Sequence, residues 1–306
     1  MLKHGDRNMA INLETFAKDL TYRADTSVSQ IFKDLNELAE IKQLAKQKYA
    51  YFKNLAGGLW LVIILMLTFM LTFFMWLNAL TNLIGFFLLA VLIVPAIFCS
   101  VKWSYYHKLN LRDERCELPK KILSMVNRDS TPNSNVIMVI HFTPAGEMGE
   151  KIQTLPHPRK RGWQLSIFED RWLILEGKFL DSTNFFLTVT DLNRTAYGTK
   201  RRGKKLVSIS RNKPKGTEIN LKLSFPSKKY GSIHVIQKAA PEAVKLPEEV
   251  NLKRIKVTAK AIELTVHTPP FFTQKEMYQT ITMMFLSLYQ VLNFAKFLSR
   301  KRQTLS

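Results

Sequence analysis

The chain has 306 residues, 45 Lys and Arg against 24 Asp and Glu, and a formal charge of +21. Its 46% apolar share excludes collagen-like, disordered and disulfide-scaffold classes, and the length allows one to three domains. The charge surplus asks for an anionic partner, either a lipid surface or nucleic acid.

Residues 1–57 read as an amphipathic helical arm without a signal peptide. Leu13, Phe16, Ala17 and Leu20 form a short helical pattern, and Ser27 to Gln30 has the spacing of a capping box. Beyond it Val28, Leu35, Lys42 and Tyr49 fall at heptad a, and Ile31, Leu38, Ala45 and Phe52 at d. Two readings stand: a coiled-coil stalk that makes a homo-oligomer, or a helix packed on its own chain.

Residues 58–103 read as a transmembrane hairpin. Spans 59–77 and 83–101 have 19 residues each and no charged side chain. Each covers roughly 28 Å as a helix, close to the hydrocarbon thickness. The short connection from Asn78 to Asn82 makes the pair antiparallel, and Pro95 is expected to kink the second span. Trp60, Trp76, Trp103 and Lys102 are expected at the membrane interface. Lys42, Lys46, Lys48 and Lys53 precede the hairpin, and Lys102, Lys108, Arg112, Arg115, Lys120 and Lys121 follow it, while its loop has no cation. The positive-inside rule then predicts a multi-pass integral protein with both termini cytoplasmic. Cys99 lies inside a span, so no disulfide to Cys116 is expected.

Residues 104–135 read as a polar helical linker, with a helix near Leu118 to Val126. Residues 136–271 then turn to period two. Strands are expected at Val136–Phe142, Trp172–Leu180, Phe185–Thr190 and Glu218–Phe225, with further strand residues at Ile233 and Val235. The run from Ile255 to Val266 changes phase between Ala261 and Ile262, which predicts a bulge or a bend onto a second sheet. Residues 272–306 form an amphipathic helix that opens on the capping box Thr273 to Glu276. It either docks on the strands or lies in the membrane interface. The fold class is thus an α+β membrane protein: a transmembrane hairpin plus a cytoplasmic antiparallel β-sandwich or small barrel, closed by a C-terminal helix.

The positive charge is concentrated. From Arg194 to Lys229 there are twelve Lys and Arg and one acid, Glu218. Gly203 suggests a hairpin tip that presents Lys200, Arg201, Arg202, Lys204 and Lys205. Arg159, Lys160 and Arg161, then Lys213, Lys215, Lys228 and Lys229, complete the candidate anion-contact set. Three readings follow: a solvated surface, contact with anionic lipid or an acidic protein, and nucleic-acid binding. No nucleic-acid motif, nucleotide-binding loop, metal spacing or catalytic signature is present, so no cofactor is expected. The functional expectation is a membrane-anchored, non-catalytic interaction or scaffold protein. Its alternatives are a subunit packing into a membrane complex through the hairpin, and a membrane tether for nucleic acid.

Overall fold

The computed structural model describes residues 16, 18–73, 79–109, 111, 113–130, 134–143, 149–203, 205–230, 237 and 240–305. They fall into two compact units, one built from residues 16, 18 and 35–112 and the other from 19–34 with 113–305. The expected strand residues Ile233 and Val235, and Trp76, lie outside the described residues.

The first unit is a helical hairpin. Helix α1 (Val28–Phe73) has 46 residues and continues unbroken through Gly57 and Gly58. At 1.5 Å per residue it is about 69 Å long. Helix α2 (Ala79–Lys108) already includes Ala79 to Asn82, so those residues continue the helix instead of forming the expected loop. The seam between the helices buries Ala45, Ala56 and Ile63 of α1 with Ala96, Cys99 and Tyr106 of α2. The Trp60 indole N–H donates to Ser100 Oγ at 3.1 Å, and that hydroxyl donates to the carbonyl of Ala96 at 2.8 Å. Nearer the open end Phe52 stacks on Tyr106, and Tyr49 stacks on His107 and leans on Trp103. The heptad residues Tyr49 and Phe52 thus meet α2 of the same chain and remain half-buried.

Away from the seam, the apolar side chains face outward. Leu71, Phe87 and Val94 are about 70% exposed, and Leu61, Ile64, Leu65, Phe69 and Phe98 are exposed as well. That much outward aliphatic surface is compatible with an apolar medium. α1, α2 and the C-terminal helix α6 (Gln274–Leu305) are each long and apolar enough to cross a membrane. They differ in burial: 44% of the α6 segment is buried by protein, against 11% in each hairpin helix.

The second unit is one antiparallel sheet with helices on one face. Its strands are β1 (Thr21–Ser27), β2 (Asn135–His141), β3 (Glu150–Pro156), β4 (Gln164–Lys178), β5 (Asn184–Arg202), β6 (Lys205–Ser224), β7 (Asn251–Val257) and β8 (Ala261–Thr268). The order is β1-β2-β4-β5-β6-β8-β7, with β3 on the remaining edge of β4. The path is open at β1 and β7, so among the described residues the strands form a single sheet and neither two stacked sheets nor a closed barrel. The phase change at Ala261 is a hairpin turn between β7 and β8, closed by Thr258, and not a bulge. The turn Asp181–Asn184 is as expected: Thr183 N–H donates to Asp181 Oδ1 at 2.8 Å, and Ser182 takes a positive φ.

Register rows explain the core. Met138, Leu175, Leu187, Leu221 and Leu264 pair across five strands, and so do Ile140, Leu173, Val189, Ile219 and Val266. All ten are fully buried. They are covered by Ile281, Met284, Leu288 and Leu292 of α6 and by Leu118, Ile122, Leu123 and Val126 of α3 (Asp113–Asn127). α3 is thus a core helix of this unit. α6 starts on the expected capping box, with Glu276 N–H on Thr273 Oγ1 and Thr273 N–H on Glu276 Oε2. Strand β1 is tied to the first turns of α1 by Asp34, which accepts from Tyr22 Oη and from Gln30 Nε2, both at 2.8 Å.

At the waist of the sheet lies Arg115, only 1% exposed. One guanidinium nitrogen donates to the carbonyls of His141 and Thr143 at 2.7 and 2.8 Å; the other meets Asp170 at 2.6 Å and Asp191 at 3.3 Å. The guanidinium also stands over the Trp172 ring. Arg115 therefore does not serve as a membrane-flanking cation. Burial, with the positive charges of Arg23 and Arg115 and against the pull of Asp170, holds the neighbouring His141 imidazole below its usual pKa.

Beyond this waist the sheet continues as a wing of β3, the first half of β4, the second half of β5 and the first half of β6. β2 pairs with β4 only over Leu173–Glu176, and β8 reaches β6 only as far as Thr217. The β5–β6 register shifts between Leu192 and Asn193, opposite Gly216. Gly216 has φ +117°, and a Cβ there would sit 2.0 Å from the carbonyl oxygen of Thr268. We expect Gly216→Ala to cost about 1–3 kcal/mol, read as a lower unfolding midpoint in denaturant. An unchanged midpoint would show that the bulge relaxes freely.

Candidate anion-binding surface

The wing begins as a two-stranded ribbon whose tip is the turn at Gly203, φ +59°. Pairing runs Arg202 with Lys205, Lys200 with Val207, Gly198 with Ile209, Ala196 with Arg211 and Arg194 with Lys213. Residues directly paired across an antiparallel ladder share a face, and alternate pairs share the same face. Six of these ten positions are Lys or Arg. The intervening pairs are Arg201 with Leu206, Thr199 with Ser208, Tyr197 with Ser210 and Thr195 with Asn212. Among these pairs that opposite face has a single cation, Arg201, with Leu206 and a row of hydroxyl and amide groups.

The ribbon is therefore two-sided. Its cationic side also has an aromatic platform. The β3–β4 turn from His157 to Trp163 is closed by His157 N–H on the Trp163 carbonyl, with Gly162 at φ +77°. It lays the Trp163 indole directly on Gly198, where a Cβ would fall within 2.4 Å of three ring atoms. Only glycine leaves room for that contact. Lys160 Nζ stands 4.3 Å from the Trp163 ring centre, a cation–π distance. Val207 and Ile209 lie on the same side.

No carboxylate occurs between Leu192 and Thr217. Among the described residues Arg194, Lys200, Arg201, Arg211, Lys213 and Lys215 make no ion pair. A sheet surface that spaces like charges along a ladder without counter-ions is locally unfavourable, and an anionic partner relieves it. Leu206, 74% exposed, adds an apolar residue beside the tip.

The structure thus brings together Arg159, Lys160, Arg161, Lys200, Arg201, Lys213 and Lys215 in the wing. Arg202 and Lys205 hold register positions on the ribbon, and Lys204 lies outside the described residues. Lys229 is elsewhere. It follows the far end of β6 in the short helix α4 (Ser227–Tyr230), where its Nζ donates to the Asp181 carbonyl at 2.9 Å. The two ends of β5 are roughly 60 Å apart at about 3.3 Å per residue. Lys228 belongs to α4 too, and the short helix α5 (Ala240–Ala243) comes next in the chain. Sequence reading missed Arg194 and Arg211 as face members, and missed the Trp163–Gly198 platform. The pairing outward from Gly203 contained the first two, since each step from a fixed turn assigns a face.

At the Lys229 end, Asp181 also accepts from Tyr230 Oη. Burial by itself raises the Asp181 carboxyl, but the hydrogen bonds of Tyr230 and Thr183 and the charge of Lys229 outweigh it and hold the group low. Burial and the same carboxylate push the Tyr230 hydroxyl up to about 12. A carboxyl depressed in the folded state contributes stability that is complete above its unfolded pKa, near 4, and lost as the pH falls through the folded value. Thermal midpoints measured between about pH 6 and pH 3 should therefore fall less steeply in Asp181→Asn than in the parent. Parallel curves would remove Asp181 from the acid response.

Among the described residues no group of three or more His, Cys, Asp or Glu could hold a metal ion. Comparison of the chain with protein-family models, with curated proteins and with solved structures finds no match. The functional reading therefore rests on the physical character of the hairpin and the wing.

Proposed function

We propose that the chain is an integral membrane protein, anchored by the α1–α2 hairpin, whose wing binds the anionic lipid surface of the cytoplasmic leaflet. The observation that supports this most is the one-sided ribbon, on which unpaired cations alternate with Trp163, Val207 and Ile209. Anionic headgroups favour the cations, at about 1 kcal/mol each near the surface, and the interface favours the aliphatic and indole groups. Nucleic acid would use the cations but has no need of the exposed Val207 beside them. An acidic protein surface is the second reading, and the absence of binding to either vesicle would favour it. Both termini belong to the cytoplasmic side on this reading, since Lys42, Lys46, Lys48, Lys53, Lys102 and Lys108 flank the hairpin on one side.

The test uses the full chain in neutral phosphatidylcholine nanodiscs, mixed with vesicles of phosphatidylcholine alone or with added phosphatidylserine. Co-flotation with the anionic vesicles only, lost at high salt, is expected. Equal flotation with both vesicles, or none with either, rejects the lipid assignment. Retention of single-stranded or duplex nucleic acid in place of vesicles would transfer the wing to that partner.

A further inference from the structure

A groove between α3 and α6 is not used by the wing. It encloses about 480 Å³, within the roughly 300–1,000 Å³ typical of small-molecule sites. Met125 and Val126 form one wall, Phe285 and Leu286 the other, and Phe179 and Leu180 close the end at the β4–β5 turn. Phe179 packs edge-on against both Phe285 and Tyr289.

The polar groups around the groove are engaged within the protein or lie at its mouth. The Thr282 hydroxyl donates to the Tyr278 carbonyl at 2.9 Å. The Asp181 carboxylate takes the Tyr230 hydroxyl and the Thr183 N–H, with Lys229 alongside. Asp129 and Asn293 are exposed at the rim. Burial, then the Asp181 charge, raises the pKa of the Tyr289 hydroxyl, so this phenol stays neutral. Such a cavity favours an occupant that needs few hydrogen bonds, because an unpaired polar group would carry its full desolvation cost there.

The mouth indicates where that occupant comes from. Leu180 and Leu286 flank the groove at 62% and 65% exposure, and Phe294 and Phe297 extend the exposed apolar line along α6. α6 itself is apolar enough for a bilayer. The Asp129 carboxylate at the rim opposes the carboxylate of a free fatty acid and attracts an ammonium group.

We propose that this groove holds one acyl chain of a zwitterionic phospholipid. The assignment rests on the membrane reading of the hairpin but not on the wing. The full chain, reconstituted in nanodiscs with phosphatidylcholine bearing a diazirine in its acyl chain, is irradiated and its adducts are mapped by mass spectrometry. Adducts are expected on α1 and α2 and, separately, on Met125–Val126 and Phe285–Leu286. Met125→Trp and Leu286→Trp, at positions open enough to accept an indole, should abolish the groove adducts and leave those of the hairpin. Hairpin adducts alone in the parent chain, or groove adducts that persist in both variants, would overturn the groove assignment. Absence of hairpin adducts would overturn the membrane reading and the groove with it. Labelling by a diazirine fatty acid but not by the phospholipid would overturn the choice of ligand.

Discussion

Arg115→Met is expected to destabilise the sheet unit by about 3–5 kcal/mol, the range for breaking a buried ion pair from one side. Methionine matches the aliphatic stem but leaves the Asp170 carboxylate without its partner 2.6 Å away, and takes the guanidinium donor from the carbonyls of His141 and Thr143. Asp191 is less exposed to the loss, because Thr217 Oγ1 still donates to its other oxygen at 2.9 Å. At roughly 2–4 °C per kcal/mol for a unit of this size, the midpoint should fall by about 6–20 °C. Adding Asp170→Asn to Arg115→Met should recover part of that drop, since the stranded charge is gone. A midpoint within about 2 °C of the parent would mean that the waist is held by packing around Trp172 and not by the guanidinium.

Charge removal on the cationic side of the wing should have the largest functional effect. Lys200, Arg211 and Lys213 are exposed and without ion partners among the described residues, so Lys200→Gln, Arg211→Gln and Lys213→Gln together should leave the fold intact. At about 1 kcal/mol per cation, affinity for anionic vesicles should fall on the order of 100-fold. The sidedness of the ribbon predicts a difference between neighbouring positions. Arg201→Gln, on the hydroxyl side of the same ribbon, should cost much less than Lys200→Gln one position away. Equal losses for the two would mean that net charge matters and the ladder's sidedness does not. Vesicle titration at a single low ionic strength separates these outcomes, because screening at high salt would compress both.

Some of this was legible before any fold was known. The hairpin was readable because each span is uniformly apolar over a full membrane thickness, a property that needs no neighbour to interpret. α6 was readable from Thr273 and Glu276 and from the 3.6-residue spacing of Ile281, Met284, Leu288 and Leu292. The core halves of the strands were readable for the same reason, since alternate burial leaves alternate apolar residues.

The wing halves were not. β5 was expected only over Phe185–Thr190 and runs on to Arg202, and β6 was expected from Glu218 and begins at Lys205. Their distal residues face solvent on both sides, so ladder hydrogen bonds and not burial hold them extended, and no apolar alternation records it. β1 was missed for a related reason. In Thr21–Ser27 only Tyr22 is buried to any depth, and its pairing with β2 joins residues 120 apart in sequence.

Arg115 shows the limit most clearly. In the sequence it is one more basic residue after an apolar span, indistinguishable from Lys108 or Lys121. Whether such a charge faces lipid headgroups or the core depends on what stands across from it. That is set by the sheet, which carries Asp170 on β4 and Asp191 on β5 to the same point. The charge of +21 thus separates into parts with different origins. Hairpin, amphipathic helix and basic segment follow from the solvent preference of contiguous residues, which each segment carries with it. The sidedness of the wing, the burial of Arg115 and the groove beside α6 come from strand register and helix packing, which join residues too far apart in the chain for local preference to record.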